Sequence, residues 1–245
     1  MGEGRTGGGG QVLLQDTVLG VVGMNVLAVL LVVARAPVFG TRLYRPMLLN
    51  VGLSIAPVLV LGAGVLAVAL LIAAGAPRAV GAAAEAVVVL VWLLLLPNAG
   101  YLITELNQSH RRPGERVPEW YDVLLVLSLA MSGVLNMLIN VFFVQLAYVA
   151  LRFDDVDGLA SAEVRWLTVA VLLLAAFGVY LGRNIRVNSW DVLRPWRLVA
   201  RVVDHLRAPG RLAAAGAFTV VCGAFFGLMQ LVVVGPLIGA VIALG

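Results

Sequence analysis

The sequence predicts an all-α integral membrane protein: a bundle of about six transmembrane helices with an amphipathic helix on the cytoplasmic surface. Of the 245 residues, 62% are hydrophobic and only 12% are charged. Soluble domains have about 45–50% apolar and about 25% charged residues. A soluble fold of this size could not bury so much apolar surface, so lipid must surround the chain. This composition excludes a soluble globular enzyme, a disordered chain, a coiled coil and a disulfide scaffold.

Apolar stretches long enough to cross a bilayer define the predicted spans. They cover residues 17–36, 47–74, 80–104, 120–151, 164–182 and 212–244, which form one transmembrane domain over 17–245. Residues 1–16 predict a flexible glycine-rich tail. The first stretch is interpreted as a retained span, because its apolar core of about 18 residues exceeds the ~7–15 of a signal peptide. The last stretch leaves two alternatives, one long helix, which is simpler, or a re-entrant pair.

The distribution of arginine predicts the orientation. The chain has no lysine, and 13 of its 17 arginines lie in the first, third and fifth connections between spans. Positively charged loops stay in the cytoplasm, so both termini should lie outside a bacterial cytoplasmic membrane. The net charge of +4 is interpreted as this loop bias and not as nucleic-acid binding. The lipid bilayer is therefore the expected partner, and the oligomeric state stays open.

Polar residues form three segments at the predicted cytoplasmic ends of the third, fourth and fifth spans. Polar groups in or beside apolar spans cost free energy, so they mark candidate sites. The candidate residues are Asn98, Tyr101, Thr104, Glu105, Asp122, Arg183, Arg186, Asn188, Ser189, Trp190 and Asp191. Pro97 removes a backbone donor. It predicts either a kink or helix end, which is favoured, or a helix break that lines a ligand cavity.

The charged members of these segments allow two interpretations. The three carboxylates together with His110 could bind a divalent cation or perform acid–base chemistry. The favoured alternative is that they pair with Arg183 and Arg186 at a helix interface, because a cation site would leave less arginine nearby. The two arginines also suit a phosphate or carboxylate ligand, or merely flank the span. No cofactor, metal or catalytic residue is predicted, and zinc-helix, Walker and dinucleotide motifs are absent from the sequence.

Two further patterns concern the fourth span and the last cytoplasmic connection. Ser128, Ser132, Asn136 and Asn140 recur every fourth residue, with Gln145 beyond them. This stripe is interpreted as hydrogen bonding between helices, and a polar path from the cytoplasm is the alternative. Residues 195–207 are amphipathic, with an apolar stripe of Trp196, Val199, Val203 and Leu206 and an arginine-rich opposite side that includes His205. That pattern predicts a helix on the anionic inner leaflet.

Four motifs resemble one family of membrane proteins. They are LLNVGLSIAP, LLPNAGYLITEL, WYD and GVYLGRNIRVNSWDVL, between about residues 45 and 206. They resemble the domain of unknown function 1361 family of multi-pass bacterial membrane proteins. Glu105 stands where this family usually has aspartate. The resemblance implies a fold and a membrane location, and it brings no activity with it.

Two classes of function follow from these observations. One is a cytoplasm-facing polar site that binds a small anion or lipid headgroup for transport or modification. The other is a non-catalytic structural or assembly factor of the membrane, in which the polar motifs only hold the bundle together. Transport requires a hydrated stripe in the fourth span, whereas a structural role requires that each polar residue is bonded to another.

Overall fold

The computed structural model describes residues 6–43, 45–107, 116–185 and 195–244. Within these ranges the chain forms eight α-helices, two short 3-10 helices and no β-strand, which confirms the predicted all-α class. The α-helices are α1 (Thr6–Phe39), α2 (Arg45–Ala73), α3 (Arg78–Tyr101), α4 (Glu119–Arg152), α5 (Ala162–Ile185), α6 (Pro195–Arg207), α7 (Arg211–Val233) and α8 (Gly235–Leu244). The 3-10 helices are Leu102–Asn107 and Val156–Ala160.

Six of these helices, α1 to α5 and α7, are long and apolar enough to cross a membrane. The predicted number of spans is therefore confirmed. α4 is the central helix of the bundle, because it contacts α1, α2, α3, α5 and α7. With 34 residues it is about 50 Å long at 1.5 Å per residue. This exceeds the ~30 Å hydrocarbon core, so α4 must tilt or extend into the interface.

The bundle has two chemically different ends. α1, α3 and α5 finish at one end, where α2, α4 and α7 begin. We call it the arginine-rich end, because it holds most of the arginines of the chain. The opposite end carries the start of α1 beside the end of α8, since a Cβ on Gly10 would lie 3.2 Å from the Leu244 side chain. The first and last described helices therefore place their outer ends on the same side.

The first helix begins earlier than its sequence predicts. α1 starts at Thr6, so the described part of the predicted flexible tail is helical. Glycine lowers helix stability by roughly 1 kcal/mol relative to alanine, which is why the glycine run predicts a tail. Packing outweighs this preference here, because Gly10 lies against α8 and Leu14 packs against a buried cluster that includes Val234 and Leu237.

The last apolar stretch is a bent helix. α7 and α8 are separated only by Val234, whose backbone stays in the right-handed helical region. Val234 N–H donates to Gln230 O and Ile238 N–H donates to Val234 O, both at 2.9 Å. Pro236 has no N–H to donate, which accounts for the interruption. Of the two predicted alternatives, this geometry favours one long helix over a re-entrant pair.

Pro97 lies inside α3 and does not end it. The helix continues to Tyr101 and tightens into the 3-10 helix Leu102–Asn107. α5 approaches closely at this point, because a Cβ on Gly178 would lie 2.2 Å from Pro97 Cγ. Gly178 therefore provides the space that the proline ring needs between the two helices.

Candidate functional site at the arginine-rich end

The ends of α3 and α5 are neighbours, as the charge pattern predicts. One turn after the contact of Pro97 with Gly178, toward the arginine-rich end, Tyr101 lies beside Gly182. A Cβ on Gly182 would be 3.6 Å from the tyrosine ring. Thr104 is buried and its hydroxyl donates to the carbonyl of Tyr101 at 2.7 Å. Of the candidate residues of the third span, Tyr101 thus lies against the last turns of the fifth.

Asn98 is half-buried and makes no side-chain hydrogen bond within the described chain. Glu105 belongs to the 3-10 helix, and its side chain lies outside what the structure describes. Six other predicted residues lie entirely outside the described ranges: His110, Arg186, Asn188, Ser189, Trp190 and Asp191. The proposed contacts among those residues therefore stay predictions.

Asp122 lies near the start of α4, away from the point where α4 packs closely on α3. α4 meets α3 at Gly133, where a Cβ would be 2.7 Å from both Ala99 O and Leu102 Cβ. Asp122 is three turns nearer the start of α4, about 16 Å along the helix axis. The first turns of α4 pack against α1 and α2. α4 also contacts the 3-10 helix Leu102–Asn107, which continues α3.

Among the described residues, Asp122 forms an ion pair with Arg35 of α1. Arg35 Nε donates to Asp122 Oδ1 at 3.0 Å, and the two side chains are only 11% and 17% exposed. Arg35 Nη1 also lies 3.4 Å from the hydroxyl of Thr41. The neighbouring Tyr121 hydroxyl donates to Leu31 O at 2.7 Å, so two adjacent residues of α4 hold the last turns of α1.

This pair differs from the predicted one. Arg183 is exposed, and within the described residues it forms no ion pair. In the sequence, Arg35 counts only toward the predicted orientation, although it lies at the end of an otherwise apolar span. An arginine next to such a run is itself a signal for a buried partner. The assignment of that partner to Asp122 requires the fold, because the two residues lie 87 positions apart.

A second polar junction connects α5, α6 and α7. The Tyr180 hydroxyl lies 3.1 Å from His205 Nε2 and 3.4 Å from Arg211 O, to which it can donate. Tyr180 is buried and its ring also packs against Phe218. The sequence assigns His205 to the polar face of the amphipathic helix. The structure shows instead that His205 attaches α6 to the bundle.

α6 has the predicted bounds 195–207, and it presents three different sides. One side packs on α5 and α7 through His205. Trp196, Val199 and Val203 form an apolar edge on which the Trp196 side chain is 67% exposed. Arg197 and Arg201 lie on the remaining side and are exposed. No membrane is present in the structure, so a place on the membrane surface stays a prediction.

The polar stripe of α4 is bonded inside the bundle. Asn136 and Asn25 exchange two amide hydrogen bonds of 2.9 Å, and Asn136 Nδ2 donates to Ser54 Oγ at 2.6 Å. Trp92 Nε1 donates to Asn140 Oδ1 at 3.1 Å. These bonds join α1, α2 and α3 to α4, and they support the interpretation of the stripe as contacts between helices.

Gln145 continues the stripe toward the opposite end. Its Nε2 donates to Thr168 Oγ1 of α5 at 2.6 Å, and Gln230 of α7 lies 3.4 Å from its Oε1. Among the described residues, no group of three or more histidine, cysteine, aspartate or glutamate side chains could hold a metal ion. The polar chemistry of the described bundle is thus mainly that of amides and hydroxyls.

Six apolar helices, five of which contact the central helix α4 and its polar stripe, define a multi-pass α-helical membrane protein. A family model described as "Protein of unknown function (DUF1361)" matches residues 58–233, and the chain belongs to that family. This match confirms the family that the sequence motifs resemble. No curated protein and no solved structure matches the chain.

Proposed function

We propose that this membrane protein binds a phosphate-bearing anion, an anionic lipid headgroup or a free anion of the same chemistry, at its arginine-rich end. In this proposal the arginine-rich end faces the cytoplasm, as the arginine distribution favours. The observation that carries the proposal is the attachment of α6. His205 holds the helix to Tyr180 while the apolar edge and the arginines of α6 remain exposed.

The surface of α6 suits the boundary between lipid and water. Its apolar edge can enter the acyl region, because Trp196 and Val199 are mostly exposed and Val203 is partly exposed. Arg197 and Arg201 would then lie at headgroup level, where each basic residue contributes roughly 1 kcal/mol of attraction to an anionic surface. Guanidinium groups also form paired hydrogen bonds with phosphate oxygens.

Two arginines outside α6 extend this basic surface. Arg183 lies one turn after Tyr180 on α5 and is exposed. Arg211 begins α7, and its carbonyl lies within hydrogen-bonding distance of Tyr180. Tyr180 therefore lies at the centre of a junction whose three helices each bring at least one arginine. A phosphate group bound there would contact side chains from separate elements, which favours a defined site over diffuse charge.

The bonding of the α4 stripe argues against a transport route through the bundle. A conducting path would need polar groups that are free to bind water, whereas Asn136 and Asn140 are bonded to other helices. The same observation favours a second candidate function, a non-catalytic structural factor. In that case the arginine-rich end would only hold the protein in the inner leaflet.

The two candidates are distinguished by lipid selectivity. The full-length protein is purified from a membrane of mixed phosphatidylglycerol and phosphatidylcholine, and bound lipids are counted by native mass spectrometry. We expect phosphatidylglycerol to be retained several-fold over its bulk fraction. Arg197→Gln/Arg201→Gln should abolish this enrichment. The matched control Arg78→Gln/Arg165→Gln, which removes the same charge from the opposite end, should not.

A competition measurement distinguishes a lipid headgroup from a free anion as the ligand. If inorganic phosphate at millimolar concentration displaces the retained phosphatidylglycerol, the site recognises the phosphate group itself. If only lipid competes, the acyl chains are part of the ligand. Equal retention of both lipids by the unmodified protein would contradict the proposal and leave the structural role.

A further inference from the structure

Glu85 is a carboxylate inside a membrane-spanning helix. The span of α3 covers Arg78–Thr104, and Glu85 lies two turns after Arg78, about 10 Å along the axis. Its side chain is partly exposed, and it forms no hydrogen bond or ion pair with any described residue. Ionisable residues within spans are costly and normally have a partner, so an isolated one indicates a site.

The surface around Glu85 is not covered by the rest of the bundle. α2 and α3 pack closely on each other here, since a Cβ on Gly64 would lie 2.3 Å from the Val88 side chain. After Leu61, α2 has no buried residue, and α3 has only Gly81 before Trp92. This half of the α2–α3 hairpin therefore stands apart from α4, which contacts its other half.

The face that carries Glu85 has room for another helix. Ala82 and Ala86 flank it on α3 and are both exposed. Small side chains allow the backbones of two membrane helices to approach, which strengthens packing in lipid. Val89, one turn further along the same face, is also exposed and supplies an apolar contact.

From these observations we propose that this face docks a transmembrane helix of another membrane protein, which presents an arginine or lysine at the depth of Glu85. Charge complementarity selects this occupant, because an unpaired carboxylate in lipid is relieved by a cation. A second copy of the chain on a two-fold axis would bring another Glu85 to the same place, and like charges repel. The proposal is independent of the anion site, which lies at the other end of the bundle.

The test uses the full-length protein in nanodiscs with a designed peptide as the probe. The donor dye is attached to Ala74→Cys in a Cys222→Ser background, at the tip of the hairpin and away from the proposed face. The probe is a leucine–alanine helix of about 20 residues with one arginine two turns from its labelled end. A matched peptide has leucine in place of that arginine. Energy transfer between the dyes reports association in the parallel orientation.

We expect the arginine peptide to associate about fivefold more tightly than the leucine peptide, as one such interaction of roughly 1 kcal/mol would give. Glu85→Leu should remove this preference, and Glu85→Gln should remove most of it because the charge is lost. Glu163→Gln, a carboxylate change at the same end of the bundle, should leave it intact.

Several results would overturn the proposal. Equal association of the two peptides, or a preference that survives Glu85→Leu, would show that Glu85 does not select the helix. Energy transfer between two labelled copies of the protein that disappears in Glu85→Leu would identify a second copy as the occupant instead. Elution of each variant at the wild-type volume in size-exclusion chromatography confirms that the comparison is between folded proteins.

Discussion

Replacing Asp122 by asparagine should destabilise the protein by about 3 kcal/mol, because it removes the carboxylate charge that accepts a hydrogen bond from Arg35. Removal of one partner from a buried ion pair costs roughly 3–5 kcal/mol. The lower end of that range applies here, because the two side chains are still 11% and 17% exposed to solvent and so are not fully buried. Arg35→Gln should have a similar effect. It also weakens the contact with Thr41 that fixes the end of α1.

A double-mutant cycle isolates the pair from these other contacts, because both side chains also make further interactions. The bond between Arg35 Nε and Asp122 Oδ1 is a single charged hydrogen bond of 3.0 Å. Hydrogen bonds to charged groups contribute roughly 1.5–3 kcal/mol, so we expect a coupling free energy of about 2 kcal/mol. The free energy of unfolding is measured in mixed micelles for Asp122→Asn, Arg35→Gln and the double variant.

Arg183 provides the control for this cycle. The sequence alone predicts that Arg183 or Arg186 pairs with a carboxylate such as Asp122, whereas the structure leaves Arg183 exposed. Arg183→Gln should therefore add to Asp122→Asn within about 0.5 kcal/mol. Additive effects of Arg35→Gln and Asp122→Asn, or a coupling above 1 kcal/mol between Arg183 and Asp122, would refute the assignment made from the structure.

Three further predictions test the packing, the polar stripe and the orientation. Gly178→Ala should destabilise the protein by about 1–3 kcal/mol, because its Cβ would lie 2.2 Å from the proline ring of α3. Gly182→Ala, with 3.6 Å of space, should be tolerated in the same unfolding assay. Asn136→Leu should cost about 2 kcal/mol, since it removes three side-chain hydrogen bonds of roughly 0.6 kcal/mol each. In a cysteine-free background, Asp155→Cys should react with an impermeant thiol reagent on intact cells and Gly210→Cys should not. The reverse labelling pattern would overturn the orientation.

The elements of the fold follow from the sequence where they depend on local pattern. Hydrophobic length alone predicts six spans, and the helical period of residues 195–207 predicts α6 with its observed bounds. The start of α1 does not follow, because the contact of Gly10 with α8 joins residues from opposite ends of the chain. For Pro97, local chemistry predicts a kink or a helix end, whereas α3 continues past the proline to Tyr101 and Gly178 of α5 leaves space for the ring.

The candidate site is only partly predictable, because it too depends on contacts between residues that are far apart in the sequence. The neighbouring ends of α3 and α5 follow from the charge pattern. The identity of an ion pair does not, because 17 arginines compete for few carboxylates and only the fold determines which of them meet. Glu85 shows a different limit. Glu85 lies within a predicted span. It indicates a binding face only once the structure shows that it forms no hydrogen bond or ion pair with a described residue.

The bonds of α4 indicate where the function of this protein can lie. Along this one helix, successive polar residues form hydrogen bonds with different neighbours. Asp122 bonds to α1, and Asn136 bonds to α1 and α2. Further along, Asn140 bonds to α3, and Gln145 bonds to α5 and α7. A helix whose polar groups are used in this way assembles the bundle and has few left to bind a ligand inside it. Exposed or partly exposed charged groups lie on elements at the periphery, the arginines of α6 at one end and Glu85 of the hairpin toward the other. Ligands and partners should therefore approach this protein from the membrane and its surface, and variants at these two places should change binding while leaving the bundle folded.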